Sequence, residues 1–477
     1  MASNTRHTNA YERFLARIPP RLETWWDTTR SSLWFLPTIA VLLAVVLALV
    51  MVYIDFRFED GLRDRRTDYP WLFGAGSDGA RGVLTAIAGS VMTVIGTVFS
   101  ITIVGLQLAS SQFTPRVLRQ FTGDRVNQTV LAVYIGTFTY SILVLRTVRD
   151  DTDSLTGFIP FVSVAFAIVL ALVCILMLIL FIHHMSMQMQ VSFILHRATE
   201  ETMQVIDSYF RDEIEMVPQA PQYNYGNTQG FDVLSDSTGY LQHYDYDHLL
   251  DVAGRHKLTV RMLVPMGAYL NRRQAVARVW AERGEDGEEP DLEDAADAVR
   301  RAIVTGSERT LASDLPFGVR QIADIALKAL SPGINDPTTA TQALDRLSEV
   351  LAHAGRKEAP VRILYADDRP VVFLPRIGFS ELTSIAFTQI RHYGKADLVV
   401  MTHLARTIER IASLVSEKNQ QVLVRHLELT RAAGEQGLEV GPDQQIFVET
   451  VDASLARIAR LQNGERVPDL PDFMQVG

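Results

Sequence analysis

Cysteine is all but missing from this chain. Cys174 is the only one, so no disulfide can close within the chain and a paired-thiol redox or metal site is excluded. Basic charge is not in excess either: 45 Lys and Arg stand against 55 Asp and Glu, for a net charge of −10. Without a concentrated basic surface the chain is not a general nucleic-acid binder. The nucleophile elbow GxSxG, the phosphate loop GxxxxGK(S/T) and the zinc helix HExxH do not occur. No enzyme, catalytic residue, cofactor or resident metal is expected.

Charge is also missing in long stretches. Four apolar runs lie before residue 186, and each is long enough to cross a bilayer as a helix. The first covers about Leu33 to Ile54 and is almost purely aliphatic. The second, Val83 to Ala109, would span roughly 40 Å as a helix. The third covers about Thr129 to Val148 and the fourth Phe158 to about Phe181. The spans carry no carboxylate or buried base at mid-length, and ionisable groups such as Arg146 and His183 sit at their ends. Coupled transporters depend on such groups within the membrane, so that class is disfavoured. No cleavable signal peptide is expected, because the first run starts more than thirty residues in.

The second run has a pattern the others lack. Ser90, Thr93, Thr97, Ser100, Gln107 and Ser111 recur at three- and four-residue steps, with Val104 completing the series. On a helix these positions form one stripe. A hydroxyl- and amide-bearing face must meet another helix or water, because lipid offers it no partner.

Before the first span, aromatic residues ending in Trp25 and Trp26 interleave with Arg13, Arg17 and Arg21, as in an interfacial segment. That leader and the second loop, with Arg116, Arg119 and Arg125, are rich in arginine. The third loop carries Asp150, Asp151 and Asp153. The positive-inside rule then places both termini in the cytoplasm of a multi-pass cell-membrane protein.

After the fourth span the helix is expected to continue from His183 to Glu215. Met177, Met185, Met187 and Met189 with His183 and His184 sit where it leaves the membrane, read as packing in preference to a copper site. Short strands follow at FDVLSD, GYLQHYD, KLTVRMLVP and AVARVW, and later at VRILYAD and RPVVFLP. Asp247 is expected to cap a helix beginning HLLDVA, a simpler account of His243, Asp245, Asp247 and His248 than a metal site. The expected organisation is an interfacial segment (1–32), a four-helix transmembrane domain (33–185), a connecting helix (186–217), a small β subdomain (218–280), an acidic linker (281–297) and a mainly helical cytoplasmic domain (298–477). The fold class is an α-helical membrane protein with four transmembrane helices followed by a soluble α+β cytoplasmic domain.

The sharpest local motif runs from Pro316 to Leu347. Arg320, Asp324 and Lys328 form a charged stripe at i, i+4 and i+8. The helix is expected to end at Ser331-Pro332-Gly333, with glycine taking the left-handed cap. Asp336 then caps a new helix with Pro337 at its first position. Asn335, Thr338 and the new helix start could hold a small anion, but Asp336 satisfies the amides and adds negative charge, which favours a structural elbow.

The string ALKALSPGINDPTTA, with SSQFTPRVLRQF at Ser110 to Phe121 and GYLQHYD at Gly239, resembles a bacterial family of predicted membrane proteins, domain of unknown function 2254. The resemblance covers almost the whole chain and implies four spans followed by a cytoplasmic domain, without an activity.

Two functions compete. One is a homo-oligomeric ion channel whose pore is lined by Ser90, Thr93, Thr97, Ser100 and Gln107, since uncharged hydroxyls wet a pore without fixing a charge. The other is a membrane-anchored sensor or scaffold, its cytoplasmic half binding a partner or small ligand. There the stripe, with Gly89 and Gly96, is a helix-packing seam.

Overall fold

The computed structural model describes Ser32 and residues 34–58, 76–112, 124–150, 157–209, 215–217, 230–281, 292–311, 314–356, 361–366 and 369–465. The interfacial leader, most of the first loop, the FTPRVLRQF part of the second loop and nearly all of the acidic linker lie outside them. The chain divides into two compact units, residues 1–190 and 191–477.

The first unit holds four helices, α1 (Phe35–Arg57), α2 (Ser77–Gln112), α3 (Arg125–Leu145) and α4 (Phe161–Gln188). All four are long and apolar enough to cross a membrane. α3 is the hub. Half of its apolar window is buried, against 17% for α1, 22% for α2 and 17% for α4. Its Tyr134 and Tyr140 are fully buried, and each hydroxyl donates to a backbone carbonyl of α4, Tyr134 to Cys174 at 2.8 Å and Tyr140 to Ser163 at 3.0 Å. The phenols thus supply apolar bulk and a polar tip that is not left unpaired. The other helices turn large apolar side chains outward, among them Leu42, Leu43 and Leu49 on α1 and Leu172, Ile175 and Ile179 on α4.

α1 extends past the expected end at Ile54, and Asp55 falls inside its last turn. Its carboxylate is 2% exposed and accepts from the Val162 and Ser163 amides at 2.8 and 2.9 Å and from the Ser163 hydroxyl at 2.6 Å. Pro160, at the cap position of α4, offers no side-chain acceptor. One helix therefore caps the free amides of another.

α4 does not run on to Glu215 as its lack of glycine and proline implies. It closes at Gln188, Met189 and Gln190 interrupt it, and α5 (Val191–Tyr209) begins the second unit. Met185 is buried, and Met177 and Met189 pack on the same apolar cluster.

In the second unit the expected strands form, but they do not make a separate β unit. A six-stranded sheet has the order β1-β8-β9-β4-β6-β2, combining β1 (Glu215–Val217), β2 (Phe231–Leu234), β4 (Leu258–Met262) and β6 (Ala275–Ala281) with the late hairpin β8 (Val361–Ala366) and β9 (Arg369–Leu374). The late hairpin joins through a parallel pairing of β4 with β9, Val260 opposite Val372. A second sheet, β5-β3-β7, uses β3 (Gly239–Tyr244), β5 (Tyr269–Leu270) and β7 (Ile303–Gly306). Helices α6 (Tyr246–Arg255) and α7 (Leu292–Arg301) share the core of these sheets through Leu249, Val252, Ala295 and Val299. The cap of α6 is Asp245, not Asp247: β3 ends at Tyr244, Asp245 stays extended, and its side chain accepts from the His248 amide at 3.0 Å. The last residues assigned to the acidic linker, from Leu292, are the first turns of α7.

The helical part comprises α8 (Leu315–Ala329), α9 (Pro337–Gly355), α10 (Phe379–Gly394), α11 (Leu398–Ala412), α12 (Glu417–Gly437) and α13 (Gly441–Gln462). The spacing of Leu398, Met401, Leu404, Ile408, Ile411 and Val415 predicts one apolar helix face. Met401, Leu404, Ile408 and Ile411 are fully buried on α11, whereas Leu398 at its start and Val415 just past its end are half-buried. Glu409 on the same helix is 5% exposed and is paired by Arg457 at 2.6 Å and the Ser454 hydroxyl at 2.7 Å, which ties α13 to α11.

Candidate functional site

The second span sorts its residues onto two faces. Leu84, Ala88, Val91, Val98 and Thr102 are buried against the first unit. Ser90, Thr93, Thr97, Ser100 and Gln107 are exposed, as are Gly89, Gly96 and Val104. The polar stripe therefore points away from the other three helices, and among the described residues it is no packing seam within this chain. A Cβ built on Gly82, Gly89 or Gly96 would meet nothing within 4 Å.

The hydroxyls on this face are not starved of partners. Thr93 donates to the Gly89 carbonyl at 3.0 Å, Thr97 to Thr93 at 3.2 Å and Ser100 to Gly96 at 2.8 Å, each one turn back. For these three hydroxyls an outside partner is therefore not obligatory: back-bonded hydroxyls tolerate close helix packing and also wet a channel. At 82, 89 and 96 the glycines repeat every seven residues, beside Thr93, Ser100 and Gln107 at the same interval. A seven-residue repeat of small side chains keeps one face turned toward a partner helix.

The elbow residues do not gather into a pocket. Arg320 reaches across to the Gln389 side chain of α10 at 2.9 Å, and Asp324 is half-buried on α8. Asp336 accepts from the Thr339 amide at 3.1 Å and the Thr339 hydroxyl at 2.6 Å, which holds its carboxyl below the usual range. Thr338 and Asn335 face outward. The left-handed residue is Asn335 (φ +49°), not Gly333. The turn carries two residues further than the sequence implies, and asparagine tolerates that backbone better than other side chains with a Cβ. The geometry is that of a capped corner.

A second polar group was not legible as one site. Asp124 caps α3, accepting from the Val126 amide at 2.8 Å and the Asn127 amide at 3.1 Å. From α4, His184 Nε2 lies 3.0 Å from the same carboxylate, and Gln188 Nε2 touches both the carboxylate and His184. Asn127 and Gln128 are each 1% exposed and Gln188 is 3% exposed. Among the described residues, both ends of the Asn127 and Gln128 amides, and Oε1 of Gln188, are buried without a hydrogen-bond partner. Leaving such an atom unpaired costs about 1–3 kcal/mol. The spacing was available as a signal: Asp124, Asn127 and Gln128 share a helix face, as do His184 and Gln188 at i and i+4. What a linear reading lacks is that the two faces meet.

Glycine residues 74, 76 and 79 read as GxGxxG, a dinucleotide fingerprint when it follows a strand. Here Gly79 lies in the first turn of α2, and among the described residues no strand precedes it.

The family whose model matches residues 30–410 is described as predicted membrane protein (DUF2254). The chain belongs to that family. Relatives of this DUF2254 protein, described as uncharacterized proteins, occur in Mycobacterium bovis and in Mycobacterium tuberculosis. Each is 32% identical over 407 residues, which cover 84% of this chain and 75% of the relative. No solved structure matches it significantly.

Proposed function

We propose that this DUF2254 protein is a homo-oligomeric membrane channel in which copies of α2 surround a shared axis and turn Ser90, Thr93, Thr97, Ser100 and Gln107 toward it. The observation that carries this reading is the outward exposure of the whole stripe in a single chain, beside glycines that leave room for a neighbouring helix. The other outward surfaces, aliphatic on α1 and α4, suit lipid. Among the described residues the three other helices pack around α3 and leave no lumen of their own, so conduction requires several copies. Hydroxyls and one amide, without fixed charge, favour weakly selective passage. Loop charge supports a cytoplasmic placement of both termini and of the second unit, which then serves as gate or assembly platform. The lipid bilayer and further copies of the chain are the partners this requires.

The competing reading is a membrane-anchored sensor or scaffold. In it the same face is a closed seam between copies, which the back-bonded hydroxyls and the seven-residue glycine repeat favour. Cysteines introduced singly at 90, 93, 97, 100 and 107 in a Cys174→Ala background separate the two. Reaction with a water-borne, membrane-impermeant thiol reagent along the stripe supports the pore. Reaction at the ends alone supports the seam. In planar bilayers the pore reading further requires unitary currents altered by Thr97→Leu, and silence from a folded oligomer would refute it.

A further inference from the structure

We infer that the buried polar group formed by Asp124, Asn127, Gln128, His184 and Gln188 is a binding site for a small monovalent cation and its accompanying water. The site does not depend on what the outer face of α2 does.

The groups present define the guest. Asp124 contributes one carboxylate, 7% exposed, which accepts the two capping amides on Oδ1 and is met from α4 by His184 Nε2 and Gln188 Nε2. From α4 the Gln188 amide touches it, and Asn127 and Gln128 follow at i+3 and i+4 on the same face of α3. All three amides are at least nine-tenths buried, and among the described residues each has an unpaired carbonyl oxygen. Hard cations are held by this kind of oxygen set. The charge fits a monovalent ion, because divalent sites draw on more carboxylate than the single one here. Among the described residues, the adjacent Arg125 and His183 are exposed on other faces of their helices and do not occupy the place.

The hydrogen bonding inside the group is also incomplete without a guest. His184 Nε2 lies within hydrogen-bond distance of both Asp124 oxygens and of Gln188 Nε2. It can donate a proton to the carboxylate or accept one from the amide, not both. The free NH2 ends of Asn127 and Gln128 need acceptors that a cation cannot provide. Water bound with the ion supplies them, as buried waters do for otherwise unsatisfied groups. A helix N-terminus by itself would repel a cation, but here the amides of Val126 and Asn127 are already answered by Asp124.

The test is thermal unfolding of the purified full-length protein in detergent or nanodiscs, followed by intrinsic fluorescence. N-methyl-D-glucamine chloride is replaced by lithium, sodium or potassium chloride at constant ionic strength. Binding to the folded state alone raises the midpoint with a saturable dependence on at least one of these ions, by on the order of 2–4 °C at high occupancy. Asp124→Asn keeps a good cap residue and removes the charge, and it should abolish the cation-dependent part of the shift. Gln128→Leu should do the same while leaving the cap intact. Equal midpoints of the unmodified protein in all four salts would overturn the site, since water alone gives no ion dependence. An undiminished shift in a folded Asp124→Asn protein would overturn it as well, by placing the ion elsewhere.

Discussion

Asp55 and Asn335 each hold a helix end in a way that ordinary sequence rules miss. Asp55 lies 107 residues from the Val162 amide that donates to it, so no local pattern reveals the pairing. Removing its carboxylate by Asp55→Ala strands two amides and a buried hydroxyl at the start of α4. A loss of about 1–3 kcal/mol is expected, read as a lower unfolding midpoint in a fixed detergent, with Asp55→Asn losing less because it keeps one acceptor. Asn335 acts through its own backbone. At φ +49° a β-branched residue is strained, so Asn335→Val should cost on the order of 1 kcal/mol or more, whereas Asn335→Gly should be nearly neutral. Gly333→Ala, at a position with open space and no left-handed backbone, should be tolerated. Denaturation of these three variants under one condition reads both halves of the expectation, and a costly Gly333→Ala with a harmless Asn335→Val would return the left-handed cap to the glycine.

Among elements, the packing of α10 on α12 contains a group whose titration is coupled to folding. His426 is buried against the ring of Phe387, with Arg391 Nη1 3.4 Å from its Nδ1. Burial first, then the Arg391 and Arg425 guanidiniums, push its pKa down from 6.5 to about 4. A folded value below the unfolded one means that the fold resists the proton. Stability is full above about pH 6.5, falls as pH drops from there to about 4, and falls no further from this group below that. The span amounts to about 3 kcal/mol. His426→Gln should flatten this part of the acid limb, seen as the difference between the two proteins in unfolding midpoint at pH 7 and pH 4.5. Parallel curves would mean that His426 does not govern it. Elements of this kind were partly legible beforehand. The four apolar runs, the strands and the buried face of α11 follow from length and periodicity, and the Asp336 cap follows from its neighbours. The break at Met189 and Gln190 carries no proline or glycine, and the joining of β4 to β9 spans more than a hundred residues. Both are settled by tertiary packing, to which a local pattern is blind. The polar stripe was legible as a stripe, but whether it faced inward or outward depended on which side of α2 the other helices cover.

For the whole molecule, the proposed assembly makes the outer face of α2 the place where copies meet, and glycine offers a clean way to probe it. Gly96 is exposed and a Cβ there meets nothing within 4 Å, so Gly96→Leu is expected to leave the contacts of the first unit intact while replacing a poor helix former by a good one, worth up to about 1 kcal/mol in helix propensity. Between copies the same change places a branched side chain where two backbones would approach closely. The expected outcome is therefore a split between two readouts. Mass measurement in detergent, by light scattering or native mass spectrometry, should show the unmodified protein as an oligomer and Gly96→Leu as smaller species or monomer. The unfolding midpoint extrapolated to low protein concentration, where monomer dominates for both proteins, should not fall. Leu172→Ala, on the outward face of α4, should leave the oligomer unchanged because that surface is assigned to lipid. A monomeric unmodified protein would remove the assembly, and an oligomer that survives Gly96→Leu but not Leu172→Ala would move the contact to α4; in either case the hydroxyl stripe would line neither a pore nor a seam.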